Sequence, residues 1–172
     1  MVVKAVGLVL RAMEFLWTLL VMALVGNMIA QAFHGGNPAS VNYAMFTSAF
    51  SMVSLFLLVP MTWKPEWGLH AIVPIVLDAL NAVFFFTSGI VLAARLGAHS
   101  CSNRSYLLHN GVTQNSHHRE KRCREGQAST AFLWFAWACY MGSLVLSLLA
   151  ARSTGANLRS RGSRRGPAMS QV

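Results

Sequence analysis

Asp78 and Asn81 are the residues that could do chemistry inside an otherwise apolar run, Leu69 to Gly97. Three positions apart, they share one helical face, which Phe85 and Ser88 continue. An ionised aspartate near the centre of a membrane helix costs about 2.5–3.5 kcal/mol on insertion scales. Asp78 is therefore expected to face protein or trapped water, or to be protonated. An acid and an amide so placed could carry a proton or cation across a bilayer. They could equally anchor one helix to another, a role that asparagine would partly fill at position 78. Glu14 supplies a second acid, sharing a face with Arg11 and Thr18. An Arg11–Glu14 pair at i,i+3 that sets helix depth is favoured over an ion path through Glu14.

The other reactive side chains crowd one polar stretch, Ala98 to Gly126. Cys101 and Cys123 lie there with His99, His109, His117 and His118. No pair of these has the C-x₂₋₄-C or H-x₃₋₅-H spacing of structural zinc sites, so no metal is expected. A disulfide between Cys101 and Cys123 would close a loop of about 20 residues and contribute about 3 kcal/mol through chain entropy. That bond requires the oxidising side of a membrane. Asn103-Arg104-Ser105 is an N-glycosylation sequon close to the end of a membrane span, which makes Asn103 a weak acceptor candidate. No nucleophile–base pair, metal motif or phosphate loop occurs at a useful spacing, so neither enzymatic activity nor a cofactor is expected.

These residues are positioned by hydrophobic segments. The chain of 172 residues is 55% hydrophobic and 11% charged, well below the roughly 25% charged residues of soluble domains, and its mean hydropathy is +0.48. It reads as an integral membrane protein, all-α, with four spans near residues 12–33, 40–61, 69–95 and 127–151. Residues 1–151 form one helical membrane domain and 152–172 a disordered basic tail. The start of the first span resembles a signal peptide ending in Ala30-Gln31-Ala32, but its apolar run is long for one, and a retained helix is preferred. Tyr43, Thr47, Ser51 and Ser54 make a hydroxyl stripe suited to helix–helix contact. Gly89, Ala93 and Gly97 form a small-residue ridge on which another helix could pack closely, and Ala138-xxx-Gly142 offers a second notch. Cys139, mid-span, reads as a packing residue.

The net charge of +9 sits at membrane edges and in the tail, which favours anionic lipid over nucleic acid. Arg152, Arg159, Arg161, Arg164 and Arg165 are the candidate headgroup contacts, with Ser153, Ser160 and Ser163 among them as sites where phosphorylation would weaken that attraction. Four spans place eight basic residues on the side of the termini and six on the other, a weak bias toward cytosolic termini. The cysteine pair and the sequon point the same way.

Several stretches together carry a resemblance: Val41-Asn42-Tyr43 with Met45-Phe46, LDALNAVFFFTSGIVLA, AHSCSNRSY, RCREGQASTAFLWF and the terminal Ser170-Gln171-Val172. They resemble the fungal non-classical export protein 2 family, a branch of the MARVEL-domain tetraspan membrane proteins. The likeness covers nearly the whole chain and departs from the pattern at the His- and Arg-rich stretch 115–121. It implies a four-helix membrane bundle with both termini cytosolic. It further implies residence in furrow-like plasma-membrane microdomains associated with eisosomes, and a non-enzymatic organising role linked to sphingolipid-responsive signalling and export of proteins without signal peptides. Implied partners are sphingolipid-rich lipid domains, eisosome-type membrane proteins and other copies of the chain. The alternatives are a small transporter or channel using Asp78 and Asn81, and a MARVEL-type vesicle-trafficking protein.

Overall fold

The computed structural model describes residues 2–32, 36–64, 72–97 and 99–153. Five helices account for most of them: α1 (Val2–Ala30), α2 (Ala39–Trp63), α3 (Ile72–Leu96), α4 (Arg104–His109) and α5 (Arg119–Ser153). Four of these are long and apolar enough to cross a membrane. The 25 residues of α2 alone measure about 38 Å, against a hydrocarbon core of about 30 Å. The outward faces are apolar as well: Phe56 is 75% and Val53 66% exposed, which suits lipid and not water.

The packing order is α1–α2–α3–α5, with α5 closing against α1; the diagonal pairs α1/α3 and α2/α5 make no backbone approach. Val21, Val25, Leu58, Phe85 and Leu133 fill the interior. Trp17 stacks on Phe132 across α1 and α5, and Phe85 stacks on Tyr140 across α3 and α5. Proline marks the helix edges. Pro38 is the N-cap of α2, Pro60 lies in its last turn, and Pro74 sits in the first turn of α3, where a missing N–H costs least.

Two boundaries differ from the sequence expectation. The first helix begins at Val2 and not near residue 12, because nothing in Val2–Arg11 breaks a helix and Lys4 simply points outward. The last begins at Arg119 and not near residue 127. Its added turns are polar, yet Glu120–Arg124 (2.6 Å) and Lys121–Glu125 (3.7 Å) are i,i+4 pairs that support a helix in water. What reads as one long loop between the third and fourth spans is therefore a short helix, a set of turns and an extension of α5.

The small-residue ridge also needs correction. Only Gly89 takes a helix, with the indole of Trp134 lying 3.3 Å from where a Cβ would project. Ala93 is exposed. Gly97 has left α3 altogether: its φ of +64° and its N–H bond to the Ala93 carbonyl (2.8 Å) make it the helix-terminating glycine. The small-xxx-small pattern was read across a helix end. In the second notch Ala138 is exposed, and Gly142 admits Leu10 of α1.

Candidate functional site: an intramembrane polar network

Arg11, Glu14 and Asp78 are all fully or nearly buried and meet near one end of the bundle. Arg11 lies in the first third of α1, and one helical turn later Glu14 faces the same way. Asp78 stands early in α3, which runs parallel to α1, so the two acids reach similar depth from helices on opposite corners. The guanidinium of Arg11 forks onto Asp78, Nη1 to Oδ1 at 2.6 Å and Nη2 to Oδ2 at 2.9 Å, while Nη1 also donates to Glu14 Oε2 at 2.8 Å. Helix α5 supplies the remaining donors. Ser143 bonds Glu14 Oε1 at 2.6 Å and Ser147 bonds Asp78 Oδ2 at 3.2 Å. Thr62 of α2 accepts from Arg11 Nε at 3.4 Å. All four carboxylate oxygens are thus bound, and every spanning helix contributes.

A second group lies deeper. Ser51 of α2 contacts Thr18 of α1 at 3.0 Å and the phenol of Tyr140 of α5 at 2.5 Å. Asn81 is separate from Asp78 in function: its amide donates to Ser54 of α2 at 2.8 Å and back to the Leu77 carbonyl. The expected hydroxyl stripe divides accordingly. Ser51 and Ser54 reach other helices, Tyr43 bonds Thr87 of α3 at 2.7 Å, and Thr47 bonds back to the Tyr43 carbonyl. The two diagonals of the bundle, which lack backbone contact, are both bridged by side chains: Arg11–Asp78 and Ser51–Tyr140.

At the opposite end a polar cap closes the bundle. Cys101 and Cys123 form a disulfide, with Cα atoms 5.7 Å apart, fastening the turn before α4 to the second turn of α5. Asn103 is the N-cap of α4, its side chain accepting from the Tyr106 N–H at 3.3 Å. Tyr106 and Asn110 both donate to the carbonyl end of α3, Tyr106 to Leu96 and Asn110 to Arg95 (2.8 Å). Burial holds the Tyr106 phenol above its ordinary range. Arg122 is completely buried. It donates to the Val112 carbonyl (2.6 Å), to the Met28 carbonyl in the last turn of α1, and to Asn37 (2.8 Å). A cation thus caps the C-terminus of a helix that carries none of its own.

Sequence reasoning placed Asp78 against protein and paired Arg11 with Glu14, but the Arg11–Asp78 clamp spans 67 positions and leaves no local pattern. Charge balance was the available signal, because Glu14 and Asp78 are the acids of α1, α2 and α3, and Arg11 stands one turn before Glu14. Arg122 was counted among surface basic residues; nothing in its neighbourhood marks it as buried. Arg152 stands exposed at the end of α5. Arg159, Arg161, Arg164 and Arg165 lie outside the described residues, as do Ser160, Ser163 and the terminal tripeptide.

Four apolar helices tied together by buried polar side chains define a multi-span membrane protein. The model of the family described as "MARVEL: Membrane-associating domain" matches residues 4–146. The chain is 35% identical over 156 residues to Non-classical export protein 2 of Saccharomyces cerevisiae, covering 86% of this chain and 83% of that one. It is 33% identical over 152 residues to Non-classical export protein 102 of Candida albicans, covering 88% and 87%. It is 29% identical over 154 residues to the Non-classical export protein 2 homolog of Schizosaccharomyces pombe, covering 90% and 82%. The chain belongs to the MARVEL family, in the branch of the non-classical export proteins. No solved structure matches it.

Proposed function

We propose that this protein is a non-enzymatic organiser of the plasma membrane, enriched in furrow-like, eisosome-type microdomains and supporting export of proteins without signal peptides. Both termini lie in the cytosol, and the disulfide cap faces outward. The observation that carries this reading is the closure of the Arg11–Glu14–Asp78 network. Each carboxylate oxygen already has a donor from the protein, Arg11 on three of the four and Ser143 on the other. The intramembrane charge is used in holding helices together. The outer faces remain for lipid, for other copies of the chain and for neighbouring membrane proteins, and the tail arginines for anionic headgroups. The names of the relatives support a link to export.

The test is fluorescence imaging of the tagged full-length protein beside a version ending at Ala151, repeated after sphingolipid synthesis is blocked. Stable cortical patches that need the tail and respond to the block support the organiser. Even membrane staining, indifferent to both, counts against it; staining of moving internal vesicles favours a trafficking role instead.

A further inference from the structure

We infer that the polar cap carries a binding cleft for a phosphoryl anion, presented at the level of lipid headgroups. A cleft of about 970 Å³ lies between α4 and the first turns of α5, with Cys101 and Leu107 among the residues that line it. Arg104, Arg119, Lys121 and Arg124 line it too, with Glu120 and Glu125 as its acids. Glu120 is taken by Arg124 at 2.6 Å. Glu125 is shared: Oε1 accepts from Asn27 at 2.5 Å, lies 3.7 Å from Lys121, and its charge also offsets the buried Arg122 behind the wall. Two acids therefore face the four cations that line the cleft. Arg119 makes one long bond through Nε to the Gln114 carbonyl (3.4 Å), and Arg104 meets no carboxylate among the described residues.

The disulfide holds the two walls together, so the surplus stays focused along one cleft, at a modest cost in repulsion between exposed side chains. A bound anion removes the cost. Forked guanidiniums match phosphoryl oxygens, and the N-terminus of the 35-residue α5 adds positive potential at the same wall. Depth narrows the source. Gly126 meets Leu96 at the end of α3, and residues 119–126 run on about 10 Å beyond it. The headgroup layer on each side of a bilayer is about 5–8 Å deep. The cleft stands among phosphates of lipid, with free phosphate as the other source of the same group. Nothing in this site depends on the organising role.

The test is direct titration of the purified full-length protein in neutral detergent with dioctanoyl phosphatidylinositol, dioctanoyl phosphatidylcholine and inorganic phosphate. Saturable binding of phosphatidylinositol, weakened at least about tenfold in Arg104→Gln/Arg119→Gln, supports the cleft and names lipid as its source. The same loss seen with inorganic phosphate alone supports the cleft and names the free anion. Glu120→Gln, which releases Arg124, tightens binding and keeps the test decisive if the double variant does not fold. Three results overturn the site: no saturable binding, equal binding of phosphatidylcholine, or binding that disappears with the arginines after Ala151 and not with Arg104 and Arg119.

Discussion

At the scale of the residue, Arg11 is the keystone because one cation answers two buried acids. Replacing it by methionine strands Glu14 and Asp78 together, whereas Asp78→Asn leaves Arg11 and Glu14 as a balanced pair. Arg11→Met should therefore cost about 3–5 kcal/mol and Asp78→Asn about 1–2 kcal/mol, read as thermal unfolding in detergent. The variant with all three made neutral, Arg11→Met/Glu14→Gln/Asp78→Asn, should be milder than Arg11→Met alone. Equal unfolding temperatures for Arg11→Met and an exposed Lys4→Met control would remove the clamp from the account. That such residues would be paired was legible from their cost in lipid. Which pairs form was not, because partners 67 or 89 positions apart are chosen by helix packing order and depth.

At the scale of the element, the helices were plain in the sequence and their ends were not. Hydropathy places a span but cannot see a helix that continues into water, as α5 does on its i,i+4 charge pairs, nor tell a packing glycine from a terminating one. The structure separates Gly89, Ala93 and Gly97 into three cases. Gly89→Leu must push against Trp134 and should cost about 1–3 kcal/mol. Ala93→Leu faces outward and should fall within about 0.5 kcal/mol of the parent. Gly97→Leu carries a side chain into left-handed backbone and should cost about 1–3 kcal/mol. Unfolding curves of the single variants check the order, and a uniform response would restore the ridge. The cap makes a separate forecast. Cys101→Ser/Cys123→Ser should lose about 3 kcal/mol, and the parent should lose its advantage over that variant when reduced. Free thiols at both positions in protein taken from cells without reductant would speak against the bond.

At the scale of the whole molecule, the bundle is a closed square whose outer faces are apolar and whose diagonals are bridged by polar side chains. Proteoliposomes holding the pure protein should pass ions no faster than empty vesicles, and Asp78→Asn should change nothing. A conductance that Asp78→Asn abolishes would turn the network from a fastening into a pathway. The diagonal Arg11–Asp78 bond also has a meaning in time. A ribosome delivers α1 long before α3 exists, so Arg11 and Glu14 enter the bilayer as a pair that neutralises itself within one turn. Asp78 arrives later, without a partner on its own helix among the described residues, and shares the guanidinium of Arg11 at matching depth. The serines of α5 come last and close the set. In this chain the order of synthesis is the order in which charge becomes affordable, so moving Asp78 onto the first helix and Arg11 onto the third would keep the finished contacts and lose the safe route to them.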